Sequence, residues 1–394
     1  MSTDGATERA ARLKGWALEA GFDRAGVARL EPSDHGEVFR RWLERGDQAS
    51  MQWLERRVET RLDPRRLLEG ARSALCVALH YSPLRGEKEP AGDLWPRVAR
   101  YARGDDYHEV MVRRLRALGE RIERSYPGCA TRTYVDTGPI LERELAQRAG
   151  LGRIGKNTNL LHRQGSWFLL GELLLTLELE PDQPIGDLCG SCTLCLEACP
   201  TGALPEPYRL DSRRCISYWT IEHRGALPPE AREGNGDWVF GCDVCQEVCP
   251  WNRKPGRDGV LDYDHPELGL PTGRGELDLA ALMSLERDDY VERFRGSPMK
   301  RARREGLRRN ALVAAGNRRE PSHLSALVAA LDDDDAVIRG HAAWALGRSA
   351  APESCAALAS ALRRESDAAV RSELLAALRC AREGIPRRAG SAPA

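Results

Sequence analysis

The sequence predicts an α+β protein with more than one domain, and three observations carry that prediction. The chain has 394 residues, enough for two or three separate cores. Segments of helical and of strand periodicity interleave up to about residue 180. Beyond that point a cysteine-rich stretch gives way to a helical pattern that repeats.

In the first part, Glu8 to Ala20, His35 to Arg45 and His108 to Tyr126 carry apolar residues at the three- and four-residue spacing of helices. Ser73 to Tyr81, Thr131 to Val135 and Ser166 to Leu179 are rich in Val, Leu and aromatics and read as strands. Such interleaving fits an α/β or α+β domain. From Pro181 to about Pro255 short loops of Gly, Pro and Cys take over, as expected where inorganic clusters replace an apolar core. A Gly/Pro/Asp-rich connection, Arg253 to Gly275, leads into helices. There Arg309-Asn-Ala-Leu-Val-Ala-Ala-Gly316, Arg339-Gly-His-Ala-Ala-Trp-Ala-Leu-Gly347 and Arg371-Ser-Glu-Leu-Leu-Ala-Ala-Leu378 recur at spacings of 30 and 32. That period marks paired helices stacking as a solenoid similar to HEAT repeats. The expected divisions are 1–180, 181–255, a connector with a basic patch over 256–300, a helical repeat over 301–385 and a disordered tail over 386–394.

Eight of the twelve cysteines crowd between Cys189 and Cys249. Cys189-Gly-Ser-Cys192-Thr-Leu-Cys195-Leu-Glu-Ala-Cys199-Pro200 is the C-x2-C-x2-C-x3-C-P run in which three thiolates surround one [4Fe-4S] cubane and the fourth serves a second. Cys242-Asp-Val-Cys245-Gln-Glu-Val-Cys249-Pro250 repeats the later part of the run without its first cysteine, for which Cys215 is the nearest replacement. The crossover rule then assigns Cys189, Cys192, Cys195 and Cys249 to one cluster and Cys199, Cys215, Cys242 and Cys245 to the other. A pair of structural zinc sites is the alternative, which the two C-x3-C-P endings disfavour. Cys76, Cys129, Cys355 and Cys380 stand singly and read as small buried hydrophobes.

Gly150-Leu-Gly152-Arg-Ile-Gly155 matches the dinucleotide fingerprint, but that motif must follow a strand, whereas Ile140 to Ala149 is helical in pattern. The glycines are expected to let a loop approach something bulky. Lys+Arg and Asp+Glu both number 59, so any nucleic-acid partner must be read from a local patch. Glu292-Arg-Phe-Arg-Gly-Ser-Pro-Met-Lys300-Arg301-Ala-Arg303-Arg304, continuing to Arg308-Arg309, is such a patch. Its alternative is the solvated face of a helix. Neither a signal peptide nor a long apolar span is visible, so a cytoplasmic location and no membrane partner are expected.

Tyr101-Ala-Arg-Gly-Asp-Asp-Tyr107-His108, Tyr134-Val-Asp136-Thr-Gly-Pro-Ile-Leu-Glu142-Arg143, Gly150-Leu-Gly-Arg-Ile-Gly-Lys156-Asn157, the cysteine run and Cys215-Ile-Ser217-Tyr-Trp follow one another ahead of the helical tail. In that order they resemble the epoxyqueuosine reductase family over nearly the full length. The resemblance implies a nitroreductase-like corrin-binding N-terminal domain, a ferredoxin-like domain with two [4Fe-4S] clusters, a cobalamin cofactor, and reduction of epoxyqueuosine to queuosine at the wobble position of tRNA. It implies Asp136 as proton donor, in a role that burial beside an apolar corrin would support by raising its pKa. It implies corrin contacts at Arg61, Ala99, Asp136, Leu160, Leu170, Ser217 and Asp243, and contacts to the tRNA anticodon stem-loop around Lys300, Arg301 and Arg304. Glu142 reads as one half of an ion pair with a neighbouring arginine. An external low-potential electron donor and a monomeric state complete the expectation. The rivals are a corrinoid reductive dehalogenase-like enzyme and an iron–sulfur electron-transfer protein. Against the first, Arg40-Arg41 is followed by Trp-Leu-Glu-Arg and not by the apolar run of an exported leader.

Overall fold

The Ser73–His80 strand alternates large and small side chains, and that alternation organises the N-terminal domain. Leu75, Val77 and Leu79 face one side and are fully buried; Ala74, Cys76 and Ala78 face the other and are equally buried. The computed structural model, which describes residues 5–81, 97–253, 265–268, 277–349 and 351–383, places this strand inside an antiparallel four-stranded sheet. The order is Arg24–Arg29, Ser73–His80, Phe168–Leu175, Thr131–Tyr134. On the large-residue face the helices Ala6–Glu19 and Tyr107–Ser125 pack through Leu13, Ala17, Met111, Leu115 and Ile122. On the small-residue face the short helix Glu142–Arg148 lies close to the strands through Leu145, Ala146 and Ala149. The approach is tight enough that a Cβ on Gly26 would stand 2.0 Å from the Ala149 carbonyl oxygen. Small residues on this face therefore bring the helix, and the loop before it, down against the sheet.

Three of the expected helices and three of the expected strands are present. The Ser166–Leu179 expectation shortens to Phe168–Leu175, because Ser166 turns away to bond the side chains of Gln246 and Asn252. After the Glu142–Arg148 helix the chain forms a hairpin, Arg153–Ile154 against Leu160–Leu161. No helix follows Gly155, so the glycine-rich match is not a dinucleotide turn. The cysteine-rich part holds short helices only, such as Leu194–Ala198 and Val244–Glu247, and none of residues 185–200 is buried. Most of the connection from Arg253 to Gly275 and the tail from Pro386 to Ala394 lie outside the described residues.

The C-terminal helices Arg303–Arg318, Ala336–Gly347, Pro352–Arg364 and Ala368–Glu383 share one apolar core. Each repeat meets the next at a glycine. A Cβ on Gly316 would lie 2.9 Å from Ala345 Cα, and one on Gly347 would lie 2.7 Å from Ala377 Cα. Two sequence expectations change here. Of the single cysteines only Cys76 is buried; Cys129 and Cys355 are half-buried. Cys380 is exposed on the last helix, whose buried residues are Val370, Leu374, Ala377 and Leu378. Arg308 and Arg309 are also not part of a surface patch. Arg308 is buried against Asp333, and Arg309 is 2% exposed.

Arg309 joins the repeat to the cysteine-rich domain, with no carboxylate partner among the described residues. Its guanidinium donates to the carbonyl oxygens of His223 (3.1 Å), Gly225 (2.8 Å) and Trp219 (2.8 Å) and to Asn310 Oδ1. Asn310 in turn donates to the Thr220 and Val239 carbonyls, both at 2.8 Å. Burial lowers the Arg309 pKa to about 10, so it stays a cation solvated by neutral oxygens. Replacing Arg309 by Leu strands three carbonyl oxygens, and chemical denaturation of R309L should read a loss on the order of 3 kcal/mol.

Candidate active site and cluster seat

Asp136 follows the Thr131–Tyr134 strand with φ of 55°, a left-handed conformation that a non-glycine residue holds only when its surroundings impose it. Those surroundings are visible. Its backbone N–H donates to the Glu142 carboxylate, and the Thr137 N–H donates back to the Val135 carbonyl at 2.6 Å. The Asp136 side chain is about 60% exposed, so in this structure it lacks the burial expected of it. It meets His108 Nε2 at 3.2 Å, while His108 Nδ1 lies 2.7 Å from Asp106. Asp106 caps the Tyr107–Ser125 helix, and His108 stacks on Tyr107 with ring centroids 4.0 Å apart. Burial alone would favour the neutral imidazole, but the Asp106 and Asp136 carboxylates outweigh it and hold His108 up at about 9. Near neutral pH a cation thus sits between Asp106 and Asp136, the second on the strained loop.

Glu142 is not half of an ion pair. The two nearby arginines are spent on backbone carbonyls: Arg61 donates to Gly138 and Ile140, both at 3.3 Å, and Arg143 donates to Thr158. Glu142 faces Glu172 instead, a residue of the Phe168–Leu175 strand that is 0% exposed and whose carboxyl oxygens have no hydrogen-bond donor among the described residues. Burial first, then the Asp136 charge, pushes Glu142 up to about 7; burial and Glu142 push Glu172 well above the usual carboxylate range.

The remaining expected cofactor residues lie around this loop and at the contact with the cysteine-rich domain. Arg61 holds the loop after Asp136, and its buried Nε has no hydrogen-bond partner among the described residues. Leu160 and Leu170 pack on the small-residue face with Ile140. The Ala99 N–H bonds the Phe240 carbonyl, and the Arg100 N–H bonds the buried Asp243 carboxylate at 2.7 Å. Ser217 stands two residues past Cys215 at the start of the turn Tyr218–Glu222.

The thiols fall into two sets by the company they keep. Burial and the thiols of Cys189, Cys192 and Cys249 raise the Cys195 pKa to about 11. Burial, with Cys215, Asp243 and Cys199 nearby, raises that of Cys242 to about 12. Cys245 is raised by burial, then Cys242 and Cys215, with Asp243 and Cys195 of the first set also acting on it. One stretch touches both sets. The Lys156 N–H points at Cys189 Sγ (3.5 Å), and Lys156 Nζ donates to the Gly190 and Cys192 carbonyls. Asn157 donates to the Cys245 carbonyl, and Asn159 Nδ2 lies 3.8 Å from Cys245 Sγ. The glycine-rich hairpin is therefore the seat of the cysteine loops.

Of the basic patch, Lys300 is exposed. Arg301 pairs with Glu222 at 2.9 Å and lies 5.1 Å from the ring centroid of Trp53, which is 41% exposed. Arg304 is mostly covered and donates to the Leu285 carbonyl. Trp53 was not singled out in the sequence, since one tryptophan between charged residues carries no pattern.

Three family models match the chain: an epoxyqueuosine reductase QueG model over residues 61–137, a 4Fe-4S double cluster binding domain over 188–252 and HEAT repeats over 299–379. The epoxyqueuosine reductase of Xanthomonas campestris is 40% identical over 355 residues, covering 87% of this chain and 96% of the relative. The chain belongs to the epoxyqueuosine reductase family. The epoxyqueuosine reductase of Pseudomonas aeruginosa is 40% identical over 85% of this chain and 93% of its own length. A crystal structure of an epoxyqueuosine reductase with an epoxyqueuosine-modified tRNA stem loop superposes with a TM-score of 0.83 at 32% identity, covering 95% of this chain and 99% of that one. The Bacillus subtilis epoxyqueuosine reductase, described with its aspartate catalytic loop swung out of the active site, superposes at 0.85 with 30% identity over 95% and 99%. Like its family, the chain is an oxidoreductase, its double-cluster domain carries [4Fe-4S] clusters, and a cobalamin cofactor is consistent with that family. The residues fit the clusters in kind, with eight thiols and N–H groups aimed at the sulfurs of Cys189, Cys199 and Cys245. Among the described residues no helix is long and apolar enough to cross a membrane.

Because two carboxylates sustain the imidazolium, Asp106→Asn should bring the His108 titration, followed by NMR of its ring protons, down from about 9 toward the ordinary histidine value.

Proposed function

We propose that this protein reduces the epoxide of epoxyqueuosine at the wobble position of tRNA to the cyclopentene of queuosine, with Asp136 as the proton donor to the departing oxygen. The observation that carries the reading is the Asp136 loop: an exposed carboxyl in a strained conformation, backed by the His108 imidazolium, in a chain of this family. Cobalamin, when bound, supplies the strongly reducing centre that opens a C–O bond. Arg61, Ala99, Leu160, Leu170, Ser217 and Asp243 would hold it, and their chemistry fits a large, mostly apolar cofactor: two leucines, an alanine and a guanidinium with an unmet donor.

The chain's own contribution is to present and replenish a proton. His108 orients the Asp136 carboxyl, and its positive charge counters the negative charge left on Asp136 after donation. Cys189, Cys192, Cys195 and Cys249 hold one cluster; Cys199, Cys215, Cys242 and Cys245 hold the other, which stands nearer the reaction through Ser217 and Asn159. The division is supported by the spacing of the cysteine runs and the crossover rule. Lys300 and Arg301, with Trp53 as a stacking surface, receive the anticodon stem-loop, while the partly covered Arg304 anchors the patch. The same reading makes the protein a cytoplasmic monomer supplied by an external low-potential electron donor.

Reduced, cobalamin-loaded protein incubated with epoxyqueuosine-containing tRNA should remove one oxygen by mass spectrometry; an unchanged mass rejects the reading. Asp136→Asn should retain iron and cobalamin and lose turnover by roughly a hundredfold or more. Cys249→Ser should lower bound iron toward about half, by loss of a single cluster, and leave the spectrum of the other.

A further inference from the structure

Removing an epoxide oxygen consumes two protons. Both C–O bonds break, a C=C bond forms, two electrons enter from the low-potential donor, and the oxygen leaves as water; the first proton goes to the ring-opened oxygen and the second to the hydroxyl that departs. Asp136 holds one proton at a time. A second source must recharge it within the turnover.

We propose that Glu142 and Glu172 share a proton and that Glu142 passes it to Asp136, making the pair the proton reserve of the site. The inference rests on the functional reading above, and its geometry is independent of it. Glu172 lies on a central strand on the same face as Leu170, two positions away, with Cys76 and Tyr134 as its cross-strand neighbours. Neither neighbour neutralises it: the Cys76 thiol is fully buried, and the Tyr134 hydroxyl has no hydrogen-bond partner among the described residues. The charged groups around the pair are Asp136, Arg61 and Arg143, and the two guanidinium groups are directed to the backbone carbonyls of Gly138, Ile140 and Thr158. Two carboxyls facing each other in apolar surroundings without a cation between them cannot both ionise, so one proton stays with them. Glu142 also accepts the Asp136 N–H, which ties the pair to the residue it serves. Glu142 and Glu172 are positioning residues here, acting through Asp136 and not on the substrate.

The raised pKa values fix the sign of the pH effect. Glu142 gives up its proton as the pH rises through about 7 while Glu172, pushed higher, keeps its own, so supply through Glu142, and with it kcat, should be level on the acid side and fall above that value. Glu172→Gln removes the second carboxyl. It should lower kcat roughly tenfold at neutral pH, shift the alkaline fall to lower pH and leave KM for the tRNA unchanged. In cofactor-free protein, infrared difference spectra should show a protonated carboxylic acid C=O band at neutral pH that weakens as the pH rises and Glu142 ionises. E172Q should weaken that band, and so should E142Q, which keeps an acceptor for the Asp136 N–H. Absence of the band from the parent protein at neutral pH overturns the shared proton. A parent that turns over while E172Q keeps the same kcat and pH profile overturns the supply role alone. A parent that leaves the epoxide intact overturns the functional reading and the supply role with it.

Discussion

The arrangement of this protein depends on residues 155–159 holding two sets of thiols at once. The cysteine loops have almost no apolar core, so their positions must come from polar contacts made by a rigid neighbour. Lys156 anchors the first loop through Cys189, Gly190 and Cys192, and Asn157 and Asn159 anchor the second through Cys245. The hairpin that carries them continues from the helix beginning at Glu142, whose carboxylate holds the Asp136 loop. A short run of backbone thus relates the proton donor to both thiol sets. From the other side, Arg309 and Asn310 clamp residues 219–225 and Val239.

Much of this was legible in the sequence where chemistry imposes a spacing. The cysteine runs and the repeat of 30 to 32 residues are spacings; the first lies in the double-cluster match and the second became stacked helices. The refusal to read a dinucleotide site at Gly150 rested on the helical pattern before it, and the helix Glu142–Arg148 is there. What failed were inferences from composition alone. Arg308 and Arg309 looked like surface charge because they follow other arginines, yet backbone carbonyls from a loop 84 to 90 residues earlier solvate Arg309. Glu142 looked paired because Arg143 adjoins it, but that guanidinium turns to Thr158.

Glu172 marks the limit of such reading from another direction. A single acid inside Phe-Leu-Leu-Gly-Glu-Leu-Leu-Leu is conspicuous in the sequence, and the period of two assigns it to the face of Leu170 and Leu174. Its partner cannot be found that way, because Glu142 reaches it from a different element of the fold.

The glycine contacts at Gly316 and Gly347 have a mechanical consequence. Where two helices approach so closely that a single added carbon would overlap the neighbour, there is no soft spacer to compress, and the crossing behaves as a bolted joint. Two such joints in series make the helical tail a strut. Load applied to the tail by a heavy ligand is then carried to the Arg309 clamp beside the cysteine loops and is not absorbed within the repeats.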